Sequence, residues 1–172
     1  CYFTIFQEKY PNTMFYSLGS CNDILGKSPV VDFVAKMSPC SKIIRLIDRD
    51  ERSPEEIADA EKDGIHVLTR RHLESFLLDD SVLIKWCDIV GQPEKKEVLL
   101  SIKKEKIADS IAREHAADDI KSASNDICTS AKKALGVTTG GNTGEAIMRD
   151  TLSKLISSDM EIYKEIEHVI FG

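Results

Sequence analysis

Two kinds of apolar pattern divide the chain. In the first half, short near-continuous apolar runs alternate with amphipathic stretches. Ile43, Ile44, Leu46 and Ile47 form one such run, which predicts a strand over 42–48 buried on both faces of an α/β sheet. Ser53-Pro54-Glu55-Glu56 is a helix start, with Ser53 as the cap, Pro54 at the first helical position and Glu56 three residues after the cap. That helix is expected to end near Lys62-Asp63, where Gly64 can take the left-handed conformation. Ile65-His66-Val67-Leu68 then reads as a second short buried strand, completing a βαβ-like unit. After it, Leu73, Phe76 and Leu77 fall on one face of a helix, with Glu74 beside them at its entrance.

The second half reads helical. Val98, Leu99, Ile102, Ile107 and Ile111 give an imperfect stripe between Glu94 and His115. Ile120, Ile127, Ala131 and Leu135 give another, stopping at Gly136. The run Val137 to Gly144 is a linker. Its glycines lack the spacing and the preceding strand of a phosphate loop, so it predicts no nucleotide site. Asn142 or Thr143 is expected to cap the next helix, which carries Ile147, Leu152, Leu155 and Ile156. Ser158 or Asp159 is expected to start the last, striped by Ile162, Ile166 and Val169/Ile170.

The candidate chemistry lies at the end of the first apolar run. Ligands of α/β sheets bind beyond the carboxyl ends of the strands. If strand pairing continues through Asp48-Arg49-Asp50, period two puts Asp48 and Asp50 on the same side and Arg49 away. Two carboxylates so placed repel unless a cation lies between them or one is protonated. Mg²⁺ suits such a pair, since it takes one or two carboxylates and keeps several waters. Glu74, near the end of the adjacent strand, would be a third oxygen ligand. The plainer reading is a solvated turn in which Asp50 or Ser53 caps the next helix.

These residues carry a resemblance to the Toprim domain of the overcoming-lysogenization-defect (OLD) nucleases and related ATPase–Toprim fusion proteins. Phe15-Tyr16-Ser17-Leu18-Gly19-Ser20-Cys21-Asn22 resembles the family's second strand and its small-residue turn. Leu46-Ile47-Asp48-Arg49-Asp50 resembles its Asp-x-Asp strand. Leu68-Thr69-Arg70-Arg71-His72-Leu73-Glu74-Ser75-Phe76-Leu77-Leu78 resembles its arginine-containing segment before a glutamate and a Phe/Tyr-Leu-Leu run. The resemblance covers roughly residues 1–80. It implies a mostly parallel Toprim-like sheet flanked by helices over residues 1–90, with strands at 13–18, 42–48 and 65–68, followed by an all-helical extension over 91–172. It also implies catalytic Mg²⁺ or Mn²⁺ held by Asp48, Asp50 and Glu74, with Asp48 the primary ligand, and a phosphate clamped by Arg70 or Arg71. Such domains begin with a glutamate-bearing strand, whereas here Cys1 to Tyr10 reads as the tail of the helix after it. The sequence is therefore expected to be a piece of a longer protein. The family also uses a late lysine, for which Lys132, Lys133, Lys154 and Lys164 are available without a motif to choose among them.

Composition narrows these expectations. At 172 residues and 42% apolar the chain can bury a substantial core. Five cysteines, odd in number and without a CxxC pair, point to a reducing, cytoplasmic compartment and away from zinc. No run approaches transmembrane length. The net charge of −6 is unlike that of a nucleic-acid binder. Lys95, Lys96, Lys103, Lys104 and Lys106 supply the local basic patch that could meet DNA phosphates, although Glu94, Glu97 and Glu105 interleave with it. His66, His72, His115 and His168 form no metal-binding spacing, and His72 reads as structural despite its proximity to Glu74. Two functional classes follow. The first is a divalent-metal-dependent DNA endonuclease or nickase module of a larger ATPase-linked, antiviral-type protein, with DNA, an ATPase domain and a further copy of itself as partners. The second is an inactive Toprim-like domain serving docking, sensing or dimerisation. A phosphatase or primase-like phosphoryl transfer would use the same carboxylates.

Overall fold

The computed structural model describes residues 1–19, 24–25 and 29–172. The chain is mixed α/β and mostly helical, built around a small parallel sheet of two strands, β1 (Arg45–Ile47) and β2 (Ile65–Val67). Arg45 lies opposite Ile65 and Ile47 opposite Val67. The crossover is α3 (Pro54–Lys62), which follows α1 (Tyr2–Phe6) and α2 (Pro29–Met37) in chain order. Its start is the expected capping box: Ser53 accepts from the Glu56 amide, and the Glu56 carboxylate accepts from the Ser53 amide. Gly64 follows with a positive φ of 70°, so the turn into β2 uses the one residue that adopts this conformation without a Cβ penalty.

Strand alternation sorts the sheet's two faces. Ile47, Ile65 and Val67 pack with Ala60, Ile57 and Ile24 on the α3 side. Ile44, Leu46 and Leu68 pack on the other side against the large helical core. There α9 (Glu161–Phe171) lies on β2, with His66 Nδ1 against the Val169 carbonyl oxygen.

The remaining helices are α4 (Glu74–Leu77), α5 (Asp80–Ile89), α6 (Lys96–Ile111, after a 3₁₀ turn at Pro93–Lys95), and α7 (Ile120–Leu135). α8 runs through Gly144–Ile147, a π-helical stretch Met148–Leu152, and Ser153–Leu155. One apolar cluster extends from Ile5 to Ile170, so the α/β unit and the helices beyond residue 90 share a core. Phe6 closes it, with ring centroids 5.0 Å from Tyr163 and 5.4 Å from Phe171. Among the described residues, no helix is long and apolar enough to cross a membrane.

Two expectations about the sheet are corrected. Residues 13–18 form no strand, and Met14 and Tyr16 are exposed. After them, α2 buries none of its side chains. Ile43 is exposed and only Ile47 of β1 is fully buried, so the apolar run is a half-covered short strand. The readings that fall on Ser20, Cys21 and Asn22 lie outside the described residues.

The helical half follows its stripes more closely. Ile162, Ile166 and Ile170 are buried on α9, and Ile127, Ala131 and Leu135 on α7, which ends at Gly136 in the left-handed conformation. The α6 stripe is only partly used: Leu99 is buried, whereas Val98 and Ile111 are exposed. Thr143 caps α8 through the Ala146 amide, and the last helix starts at Met160 rather than at Ser158 or Asp159.

The linker glycines serve packing. A Cβ at Gly144 would lie 2.5 Å from Asn125 Cα, and the Gly144 amide donates to Asn125 Oδ1 at 2.9 Å. Gly144→Ala should therefore force α8 away from α7 and destabilise the protein by about 1–3 kcal/mol. A thermal melt at the wild-type temperature would refute this close approach. Lys132 is buried and donates to the Gly141 carbonyl and to Asn142, holding the same linker in place.

Candidate active site at the strand ends

β1 stops at Ile47, and β2 hands its direction to a tight turn before α4. Pairing continues past both strands through single bonds. The Leu68 amide donates to the Ile47 carbonyl and the Asp50 amide to the Arg71 carbonyl, each at 3.0 Å. These bonds fix the Asp48–Arg52 loop against the Arg70–Leu73 turn, so the side chains of both converge at the carboxyl end of the sheet.

Asp48 is half-buried there. Burial raises its carboxyl above the ordinary range, and the Glu74 charge raises it further. Asp50 adds to the rise, while His72 and Lys121 pull the other way. Glu74 enters as the first residue of α4, as expected for a group at the strand–helix junction. Tyr2 closes this side. Burial, then the charges of Asp48 and Glu74, push its phenol far above its usual value.

Asp50 is arranged differently from the expectation. The strand has already ended, and Asp50 adopts a left-handed φ of 49°, so period two no longer sets its direction. Its Oδ2 receives Arg52 Nη1 at 3.0 Å, and its Oδ1 lies 3.2 Å from His72 Nε2. Arg52 also donates to the Asp48 carbonyl at 2.8 Å, which stiffens the loop. His72 is only 7% exposed, and its Nδ1 lies 3.7 Å from Asp119 Oδ1, at the N-cap of α7.

The arginines divide. Arg71 donates to Asp118 Oδ1 at 3.0 Å and pairs with Glu51. Arg70 turns toward α9 and α5. Its Nε and Nη2 hold Glu165 at 3.2 and 2.8 Å, and its Nη1 holds Asp79 at 2.7 Å and the Ser75 carbonyl at 3.1 Å. All three of its nitrogens are engaged within the fold, whereas the Arg71 Nε has no acceptor.

The lysine patch is likewise spent on internal partners. Lys95 donates to the Ala134 carbonyl at the end of α7. Lys96 pairs with Asp88, Lys103 with Asp80, and Lys106 with Glu105 and Asp109, while Lys104 is exposed.

Among the described residues, no three His, Cys, Asp or Glu side chains form a ready-made metal-binding group. The donors that suit a hard divalent ion are two, Asp48 and Glu74. The like charge and burial at Asp48 would be relieved by a proton or by a cation with several waters completing its shell. Asp50 is engaged by Arg52 and His72 instead. The sequence reading missed the hub formed by Arg49, Arg52, His72, Asp118 and Asp119. The one local signal in it that spacing could have given is Asp119 three residues before Ser122, a helix-cap arrangement realised at 3.2 Å. No family model, curated protein or solved structure matches the chain.

Proposed function

We propose that this chain carries part of a divalent-metal-dependent phosphodiester hydrolase, a DNA endonuclease or nickase module of a larger ATPase-linked protein of Toprim type. The observation that carries the reading is the elevated Asp48 carboxyl at the end of a parallel strand, with Glu74 entering from the neighbouring strand–helix junction. Asp48 and Glu74 would hold Mg²⁺ or Mn²⁺, which supplies Lewis-acid polarisation of a phosphate and an activated water. The chain's own residues position the reaction. Arg52 and His72 hold Asp50 and the loop that presents Asp48. Arg71 offers guanidinium donors to a phosphate beside it. The ATPase and defence context comes from the sequence resemblance alone.

A docking or dimerisation role without catalysis is the second reading. It is favoured by the internal pairing of four of the five lysines expected to meet DNA.

Melts of Asp48→Asn with and without Mg²⁺ separate the two. A carboxyl raised in the folded state destabilises the fold while ionised, and the deficit vanishes as pH falls through its folded value. Asp48→Asn should therefore raise the metal-free melting temperature at neutral pH by about 1–3 °C, and the gain should disappear in acid. Mg²⁺ should stabilise the wild type by mass action and leave the variant unmoved. A variant that melts lower without metal would mean that hydrogen bonds hold Asp48 for structural reasons, and the hydrolase reading would fall.

A further inference from the structure

Arg49 was expected to point away from any site, yet it reaches across to the turn between α6 and α7. Its Nη2 donates to Asp118 Oδ2 at 2.7 Å, while Arg71 Nη1 donates to Asp118 Oδ1 at 3.0 Å. Two guanidinium groups from the two strand-end loops thus grip the two oxygens of one carboxylate. Each makes one charge-assisted hydrogen bond to a separate oxygen, and guanidinium donors placed this way suit a phosphate's non-bridging oxygens equally well.

Two further observations mark the carboxylate as the replaceable partner. The Nε–H groups of Arg49 and Arg71 are both buried without an acceptor, so the pair has more donors than the fold supplies oxygens. Buried donors normally find partners, and a cluster of unmet ones points to an absent acceptor. The cations are also more buried than the acid: the Arg71 side chain is 12% exposed and that of Arg49 30%, against 52% for Asp118. Asp118 can leave without unwinding α7, because the helix cap is its neighbour Asp119, bound to the Ser122 amide. Glu51, the other acid on Arg71, is 80% exposed and equally free to yield.

We propose that Arg49 and Arg71 form a phosphate-binding site that Asp118 fills in this conformation, an internal stand-in displaced when a phosphate arrives. Arg49 lies on the loop that carries Asp48 and Asp50, and Arg71 on the turn that leads to Glu74. It deepens the hydrolase reading, resting on it only for identifying the phosphate as that of a DNA strand.

The test measures binding in excess EDTA at fixed salt, using a fluorescent single-stranded oligonucleotide and, separately, inorganic phosphate. Asp118→Asn should tighten binding about tenfold, the scale of one charge-assisted contact. Adding Arg49→Gln and Arg71→Gln should abolish the gain. A gain for the oligonucleotide assigns the site to a nucleic-acid strand, and a gain for inorganic phosphate alone assigns it to free phosphate. In the wild type, saturating probe should speed amide hydrogen exchange at 118–122 as Asp118 is released, a readout that decides the matter if the variant fails to fold. Unchanged or weaker binding by folded Asp118→Asn, or unaltered exchange in the saturated wild type, overturns the proposal. Because no metal is present, a failure of Mg²⁺-dependent cleavage would remove the hydrolase reading and leave this result standing.

Discussion

Phe76→Ala should destabilise the protein by about 3–5 kcal/mol, the range for truncating a fully buried aromatic ring. Phe76 has no exposed surface and sits in the four-residue α4 between the sheet and the helical core. So short a helix has little stability of its own and depends on tertiary packing. The Arg70 guanidinium lies 4.9 Å from the ring centroid, so removing the ring also withdraws a favourable cation–π contact. Urea denaturation checks this directly: the midpoint should fall while the slope stays constant. A cost below about 1 kcal/mol would be incompatible with a packed Phe76. Glu74 shares the same turn, so the variant should also weaken any stabilisation by Mg²⁺.

Arg70→Met should cost about 2–4 kcal/mol at neutral pH, less than a fully buried network would because Arg70 and its two charged partners are partly solvated. Arg70 holds Glu165 of α9 and Asp79 at the cap of α5, so one side chain ties two helices to the end of β2. Its loss leaves two half-buried carboxylates unpaired. Their pH behaviour gives the distinguishing signature. Burial pushes the Asp79 carboxyl upward, but hydrogen bonds from Ser81 and Arg70 outweigh it and hold the group below its usual range. Burial likewise opposes the depression of Glu165, which hydrogen bonds from Arg70 and Thr69 produce. A carboxyl depressed in the folded state contributes stability that is present above the ordinary carboxylate range and is lost as pH falls through the folded value. Wild type and Arg70→Met should therefore differ most at neutral pH and converge below about pH 4. Equal melting temperatures at pH 7 would show that the network is ornamental.

The local features were legible because each depends on neighbours within a few residues. Ser53 and Glu56 close a capping box, Gly64 and Gly136 end helices in the left-handed conformation, and Ile162, Ile166 and Ile170 mark the buried face of α9. The place of Glu74 at the helix entrance after the second strand was also legible, since the apolar face of Leu73, Phe76 and Leu77 marks where that helix begins. What the sequence could not disclose was every choice of distant partner. Arg70 and Arg71 are adjacent, yet one binds Glu165, 95 residues away, and the other Asp118, 47 away. Nothing in their local spacing separates them. Asp50 left its expected side because β1 ended at Ile47, and strand length depends on what the strand pairs with. Residues 13–18 have an apolar composition that suits a strand but find no partner strand among the described residues. The sequence determined caps and periods, because short-range hydrogen bonding and side-chain spacing suffice for them. The tertiary structure decided which charges meet, because a guanidinium selects among carboxylates only after the core has brought their helices within reach.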